Sequence, residues 1–318
     1  MGLLDTRNFY KPFAYPWAYN YFKIQNNLHW IAEEVPLGDD IKDFNTKLNQ
    51  NEKNIVSQVL KFFTQGDLDV QNNYIARLMG KFNLPELQMM LATFNAFEAI
   101  HVNAYAYLSD SLNLDSDHTF YQSFLNIKEM KDKHDYMENL TINNISDLAR
   151  VIAIFGGFIE GVQLFSSFAI LNSFPRRNLL KNTAQVITYS IRDESLHCAA
   201  MTKLFRTLIE ENPTIWNDEL KKSIYEACKQ VVALEEAFID VCFGMGDIEG
   251  LKAKDLKKYI HYLADVRLGD LGLKPVYRVK KHNLQWLDNM INATEHANFF
   301  EARATNYSKA SIIDDMKE

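Results

Sequence analysis

The apolar stretch from Val151 to Leu171 constrains the fold most strongly, because it carries an acid, Glu160, near its centre. A carboxylate at the middle of a bilayer costs several kcal/mol, whereas a helix that is apolar on all sides also forms the centre of large soluble proteins. We therefore interpret the stretch as a buried core helix and not as a membrane span. An isolated buried charge is too costly to persist, so the fold must bring partner groups to Glu160.

Long helices are predicted for the rest of the chain, which has only 12 Gly and 7 Pro in 318 residues. Apolar residues keep a helical period between the breaks, and no strand alternation or internal repeat persists. The breaks fall at residues 80–85, 110–117, 141–147, 172–175, 212–213 and 244–250. We predict an all-α protein with an N-terminal arm over 1–36, one helical domain over 37–300 and a C-terminal tail over 301–318.

Charge and cysteine usage limit the classes of partner. The formal net charge of −7 disfavours a nucleic-acid surface, which usually has a basic excess. The three cysteines are scattered singly and the N-terminus has no secretory signal, which together indicate a reducing compartment. We predict a cytoplasmic protein that binds neither nucleic acid nor membrane.

Two Glu-x-x-His words, Glu98–His101 and Glu194–His197, stand out in the sequence. Residues three apart on a helix share one face, so each word can offer a carboxylate and an imidazole to the same ion. One such word alone is more often a surface ion pair or a capped core histidine. Two words in apolar helical contexts point to a metal site, because unpaired carboxylates there would be costly.

A lone acid inside an apolar helix precedes each word, Asp67 before the first and Glu160 before the second. The breaks at Pro85 and Pro175 turn the chain back between them, so each half is predicted to be an antiparallel helix pair. Four carboxylates and two imidazoles form the ligand set of ferritin-like dinuclear carboxylate proteins, although Asp67 stands where those proteins carry Glu. Such mixed ligands suit iron or manganese.

Tyr105 follows His101 by four residues and therefore returns to the same helix face. A phenol beside a dinuclear site could lose an electron to an oxidised cluster, but an ordinary core tyrosine fits the spacing equally well. Cys198 follows His197 directly and points to a different face, so we interpret it as a core thiol and not as a ligand.

Seven ordered words give the chain a family resemblance. They are HWIAEEV, FFTQGD, FEAIHVNAY, FIEGVQLFSSFA, SIRDESLH, LGLKPVY and EHANFFEARATNY. Over nearly its whole length the chain resembles the small, radical-generating subunit of class I ribonucleotide reductase. The resemblance implies a ferritin-like helix bundle with a dinuclear metal site in its core.

The resemblance also implies roles for individual residues. The six metal ligands would be Asp67, Glu98, His101, Glu160, Glu194 and His197. Tyr105 would carry the stable radical, Trp30, Asp193 and His101 would form the inner part of a radical-transfer chain, and Tyr307 its outer relay. Without the family, Asp193 could instead be a helix-surface acid paired with Arg192.

The implied activity is that of a ribonucleoside-diphosphate reductase subunit. Two iron ions, or manganese in the same ligands, would react with oxygen to oxidise Tyr105, and the radical would pass to a cysteine of a larger partner subunit. The chain would form a homodimer and dock through its tail, with Ile312, Ile313 and Met316 as apolar anchors beside Asp314 and Asp315. The alternatives are a related metal-dependent oxidase or hydroxylase and, in another class, a metal-storage or helical scaffold protein.

Overall fold

The computed structural model describes residues 1–115 and 119–292, and ten α-helices lie within these ranges. In the first half they are α1 (Pro16–Asn27), α2 (Gly38–Thr46), α3 (Gln50–Asn73), α4 (Pro85–Ser111) and α5 (Lys128–Glu138). In the second half they are α6 (Ile145–Ile152), α7 (Phe165–Ser173), α8 (Lys181–Glu211), α9 (Asp218–Cys242) and α10 (Ala253–Asp270). The described ranges contain two isolated β-bridges and no strand. The prediction of an all-α fold is confirmed.

Shorter helical segments connect several of these helices. Short 3₁₀ turns occur at Ala32–Glu34, Met79–Lys81, Gln122–Asn126, Phe174–Arg177 and Pro213–Ile215. Two π-helical segments, Tyr74–Leu78 and Ala153–Gln163, continue α3 and join α6 to α7. π-helical turns inside α-helices are rare and occur frequently at functional sites.

Local signals explain where the first helix pair begins. Asn49 caps α3 through a capping box with Glu52, in which each side chain bonds the other residue's backbone N–H. Pro85 occupies the first turn of α4, where its missing N–H costs nothing. Between the two helices the chain reverses, and α3 packs along α4. The N-terminal segment 1–36 contributes α1, which packs against α4 and α8.

The apolar stretch lies in the protein core. The helical segment Ile145–Arg177 has the length and hydropathy of a membrane span, but its most apolar window is 100% buried inside the protein. This position confirms the interpretation of Val151–Leu171 as a core helix.

Glycines let α8 approach the π-helical segment closely. A Cβ atom on Gly156 would lie 2.1 Å from the Cβ of Met201, and one on Gly161 would lie 2.6 Å from the Sγ of Cys198. Both distances are far below van der Waals contact, so no larger residue fits there without moving α8. The close approach brings the second predicted ligand pair, Glu160 and the α8 residues, together.

Candidate metal centre

Four helical segments carry the six predicted ligands. Asp67 lies in α3, Glu98 and His101 in α4, Glu160 in the π-helical segment Ala153–Gln163, and Glu194 and His197 in α8. All six side chains are fully buried. The structure therefore brings residues from both halves of the chain to one place in the core.

The six side chains form two overlapping groups of potential ligands. One group is Asp67, Glu98, His101 and Glu194, and the other is Glu98, Glu160, Glu194 and His197. Within each group one ligand atom per residue lies within 4.8 Å of the others. Glu98 and Glu194 belong to both groups, so either carboxylate would be available to both ions.

Both imidazoles point the Nδ1 atom at the shared carboxylates. The Nδ1 of His101 lies 3.2 Å from Oε1 of Glu194 and 3.5 Å from Oε2 of Glu98. The Nδ1 of His197 lies 3.0 Å from Oε1 of Glu98 and 3.9 Å from Oε1 of Glu160. Carboxylate oxygens and imidazole nitrogens thus surround one shared space.

Most of these ligand atoms have no hydrogen-bond partner. Both oxygens of Asp67, Glu98 and Glu194, both ring nitrogens of His197, the Nδ1 of His101 and Oε2 of Glu160 are buried without one. Buried polar atoms are normally hydrogen-bonded, because leaving them unpaired is costly. Two cations bound among these atoms would supply the missing partners. The donor set of carboxylates and imidazoles suits iron or manganese. The residues therefore fit a dinuclear metal centre.

Burial and mutual repulsion raise the pKa of three of the four carboxyl groups and so favour their protonated forms. Burial raises the pKa of Asp67 to about 7. Burial, and then the charge of Glu98, raise the pKa of Glu160 and of Glu194 well above the usual range. Burial would also raise the pKa of Glu98, but the imidazoles of His101 and His197 outweigh it and lower that pKa to about 2. Cations entering this site would displace the retained protons.

A hydrogen-bonded chain leads away from His101 through Asp193. The Nε2 of His101 lies 3.2 Å from Oδ2 of Asp193, and the Nε1 of Trp30 donates to the same oxygen at 2.7 Å. Gln25 Nε2 donates to Oδ1 at 3.0 Å, and Arg192 Nε lies 3.4 Å from it. Asp193 is fully buried. It contacts Arg192 as the alternative interpretation expected, but it is not a surface acid.

Tyr105 is fully buried beside the first ligand group. Its ring centroid lies 6.3 Å from that of His101, and it stacks on Phe63 at 4.6 Å. Its hydroxyl has no hydrogen-bond partner. Burial, and then the charge of Asp67, raise the pKa of the Tyr105 phenol well above its usual value, so the phenol is neutral.

Two hydrogen-bond donors at this site carry no clear sequence signal. Tyr74 Oη donates to Oε1 of Glu160 at 2.6 Å, and Gln25 binds Asp193 as described above. Tyr74 follows Asp67 by seven residues, a helical spacing that could have revealed it, whereas nothing local in α1 marks Gln25. Cys198 is a buried thiol whose Sγ contacts the backbone oxygen of Gly156. Tyr307 and the tail anchors lie outside the described residues.

The chain matches known proteins over most of its length. Residues 7–284 match the family model for "Ribonucleotide reductase, small chain". The chain is similar to a probable ribonucleoside-diphosphate reductase small subunit of Invertebrate iridescent virus 6, with 39% identity over 349 residues that cover 98% of this chain and 96% of the relative.

Solved structures share the fold at lower sequence identity. A ribonucleotide reductase R2 subunit from Clostridium botulinum superposes with a TM-score of 0.84 and 24% identity, over 92% of this chain and 94% of that one. The dimanganese(II) protein NrdF of Streptococcus sanguinis gives a TM-score of 0.73 and 20% identity, over 86% of this chain and 95% of its own. The ferritin-like bundle predicted from the resemblance is thereby confirmed. The family match spans most of the chain, and the chain therefore belongs to the ribonucleotide reductase small chains, the small subunits of the oxidoreductase ribonucleoside-diphosphate reductase.

Proposed function

We propose that this chain uses a dinuclear metal centre and oxygen to generate a radical on Tyr105, which a large catalytic subunit then uses for deoxyribonucleotide synthesis. The observation that carries the proposal is the pair of overlapping ligand groups that share Glu98 and Glu194, with Tyr105 beside them. When two redox-active ions are bound there, their reaction with oxygen supplies a one-electron oxidant close to the Tyr105 ring.

The surroundings of Tyr105 suit a long-lived radical. Its side chain is fully buried and stacks on Phe63, so solvent and external reductants cannot reach the ring directly. Its hydroxyl has no hydrogen-bond partner. Oxidation of the neutral phenol releases its proton together with one electron, and Asp67, whose charge acts on this phenol, would accept the proton.

Asp193 would couple the centre to the radical-transfer chain. One of its oxygens accepts the indole N–H of Trp30 and faces the ring of His101, so a continuous path joins the cluster to Trp30. The centroid of the indole ring lies 6.0 Å from that of the His101 ring, and Trp30 is only 4% exposed. We propose that the hole travels along this path and continues through Tyr307, outside the described residues.

The reduction of the nucleotide itself would occur in the partner subunit. The three cysteines of this chain are buried free thiols, and no two of them form the reactive pair that ribonucleotide reduction needs. We propose that the chain forms a homodimer in the cytoplasm and docks on the large subunit through residues 301–318. These proposals follow from family membership and not from a contact in the structure.

The metal identity is proposed as iron, with manganese as the alternative. Carboxylate and imidazole ligands accept both, and a relative of the same fold is named as a dimanganese(II) protein. The family match favours the reductase function over the oxidase, hydroxylase, storage and scaffold alternatives.

Separate reconstitution with each metal tests the proposal. The apoprotein is loaded with Fe(II) or Mn(II), exposed to oxygen, and examined by metal analysis and electron paramagnetic resonance. We expect two ions per chain and a tyrosyl radical signal with at least one metal. A protein that binds two ions but oxidises a small molecule without forming a radical would instead favour the oxidase alternative.

A further inference from the structure

Tyr74 lies beside the second ligand group, Glu98, Glu160, Glu194 and His197, and has no role in the proposed radical chemistry. It opens the π-helical segment Tyr74–Leu78 at the end of α3 and is fully buried. Its Oη donates a hydrogen bond of 2.6 Å to Oε1 of Glu160, across 86 residues of sequence. Its ring meets the imidazole of His197 edge-on at 6.5 Å between centroids.

This hydrogen bond distinguishes Glu160 from the other three carboxylates. Both oxygens of Asp67, Glu98 and Glu194 are buried without a hydrogen-bond partner, whereas Glu160 has one oxygen satisfied and only Oε2 unpaired. Among the residues that the structure describes, Tyr74 is the one hydrogen-bond donor to Glu160. Oε2 is therefore the Glu160 oxygen without a competing partner, and the hydrogen bond favours binding of an ion through Oε2 over Oε1.

We infer that Tyr74 is a positioning residue that restricts Glu160 to binding an ion through one oxygen, Oε2. The inference rests on the proposed metal centre and adds the coordination mode of one ligand. A phenol bound to a carboxylate makes a short, charge-assisted hydrogen bond, which fixes the rotation of the carboxylate plane. Without the hydroxyl, Oε1 becomes free, and Glu160 can rotate or chelate the ion with both oxygens.

The expected change in metal affinity follows from the usual effect of removing a hydrogen-bond partner of a metal ligand. Partners that orient a metal ligand typically change metal affinity by about 10–100-fold when they are removed. Tyr74 contacts a ligand found only in the second group, since Glu160 is absent from the first. The effect is therefore confined to one of the two ions.

The variant Tyr74→Phe tests the inference because it removes the hydroxyl and keeps the ring. Mn(II) is titrated into full-length apoprotein by calorimetry, which resolves two binding constants. We expect the dissociation constant of one ion to rise about 10–100-fold, because the carboxylate of Glu160 is no longer held in place before the ion binds, while that of the other ion stays at the wild-type value. Tyr136→Phe is the control, because it removes a phenol hydroxyl from α5, a helix that carries none of the six ligands, and should leave both constants unchanged.

Co(II) supplies a second readout that a general loss of packing would not change in the same way. Its visible absorption weakens as the coordination number rises. We expect weaker bands per bound ion in Tyr74→Phe, because Glu160 then contributes two oxygens, and wild-type bands in Tyr136→Phe. Replacement of Tyr74 by 3-fluorotyrosine retains the donor and should keep both dissociation constants at the wild-type values, while its more acidic phenol shifts the Co(II) bands.

The outcomes separate this inference from the proposed function. A wild-type protein that binds no Mn(II) overturns the metal centre and the inference together. A wild-type protein that binds two ions, with Tyr74→Phe giving the same constants and the same Co(II) bands, overturns only the inference. If circular dichroism shows that Tyr74→Phe is unfolded, the 3-fluorotyrosine protein alone provides the test. Its more acidic phenol shifts the Co(II) bands if Tyr74 bonds Glu160. Unchanged bands overturn the inference.

Discussion

Raising the pH from 5 to 7 should destabilise the apoprotein, and Asp67 provides a measurable part of the effect. Burial raises the pKa of Asp67 from 3.8 to about 7. The folded chain therefore keeps a proton on Asp67 between those values, whereas the unfolded chain has released it. When the folded state binds more protons, the free energy of unfolding falls as the pH rises.

The size of the Asp67 contribution follows from this shift. With a folded pKa of about 7, the proton-linkage relation gives a loss of about 2 kcal/mol between pH 5 and pH 7. The raised pKa values of Glu160 and Glu194 act in the same direction. The pKa of Glu98 is lowered from 4.5 to about 2, so this carboxyl opposes the trend only slightly, near pH 5, where a minor fraction of the unfolded chain still carries its proton.

Urea unfolding of the apoprotein at pH 5, 6 and 7 measures the effect, and Asp67→Asn is the control. The amide has the size of the carboxyl but does not titrate, so the pH slope of the variant should be shallower by about 2 kcal/mol over the window. A bound cation keeps Asp67 ionised, so the stabilisation by metal should grow as the pH rises. An apoprotein whose stability is constant or rises with pH, or an equal slope in Asp67→Asn, would refute the reasoning.

Three substitutions test other parts of the account. Tyr105→Phe should keep two ions per chain but lose the radical signal and turnover with the large subunit; full turnover would show that Tyr105 is not the radical site. Trp30→Phe should retain the radical signal and lose turnover, because the hydrogen bond to Asp193 is gone; unchanged turnover would contradict the transfer path. Gly156→Ala should destabilise the protein by about 1–3 kcal/mol, the usual cost of overpacking a core, because the new Cβ would lie 2.1 Å from a side chain of α8. An unchanged midpoint of urea unfolding would contradict the close packing.

The helices and the candidate ligands could be predicted because their signals are local. Residues three or four apart share a helix face, so the words at Glu98 and Glu194 identify pairs of ligands without any knowledge of the tertiary structure. A lone acid such as Glu160 in an apolar stretch needs a partner, whatever the fold. Proline marks the chain reversals that make the helices neighbours, and the structure has α4 beginning at Pro85.

The remaining features depend on contacts between distant segments and had no clear sequence signal. The π-helical segment Ala153–Gln163 includes Gly156 and Gly161, against which α8 packs, and a helical period cannot reveal this contact. The donors to Asp193 and Glu160 come from Gln25 and Tyr74, and these pairs are 168 and 86 residues apart in sequence. Such pairings are fixed by how the helices pack, after the helices themselves are specified.

The number of ions bound by two variants tests the central claim most directly. Glu98 belongs to both ligand groups and Glu160 to only one. Metal analysis after loading with Fe(II) or Mn(II) without oxygen should find two ions per chain in the wild type, one in Glu160→Ala and none in Glu98→Ala. A wild type that binds fewer than two ions, or a Glu98→Ala variant that still binds two, would contradict a dinuclear centre bridged by Glu98.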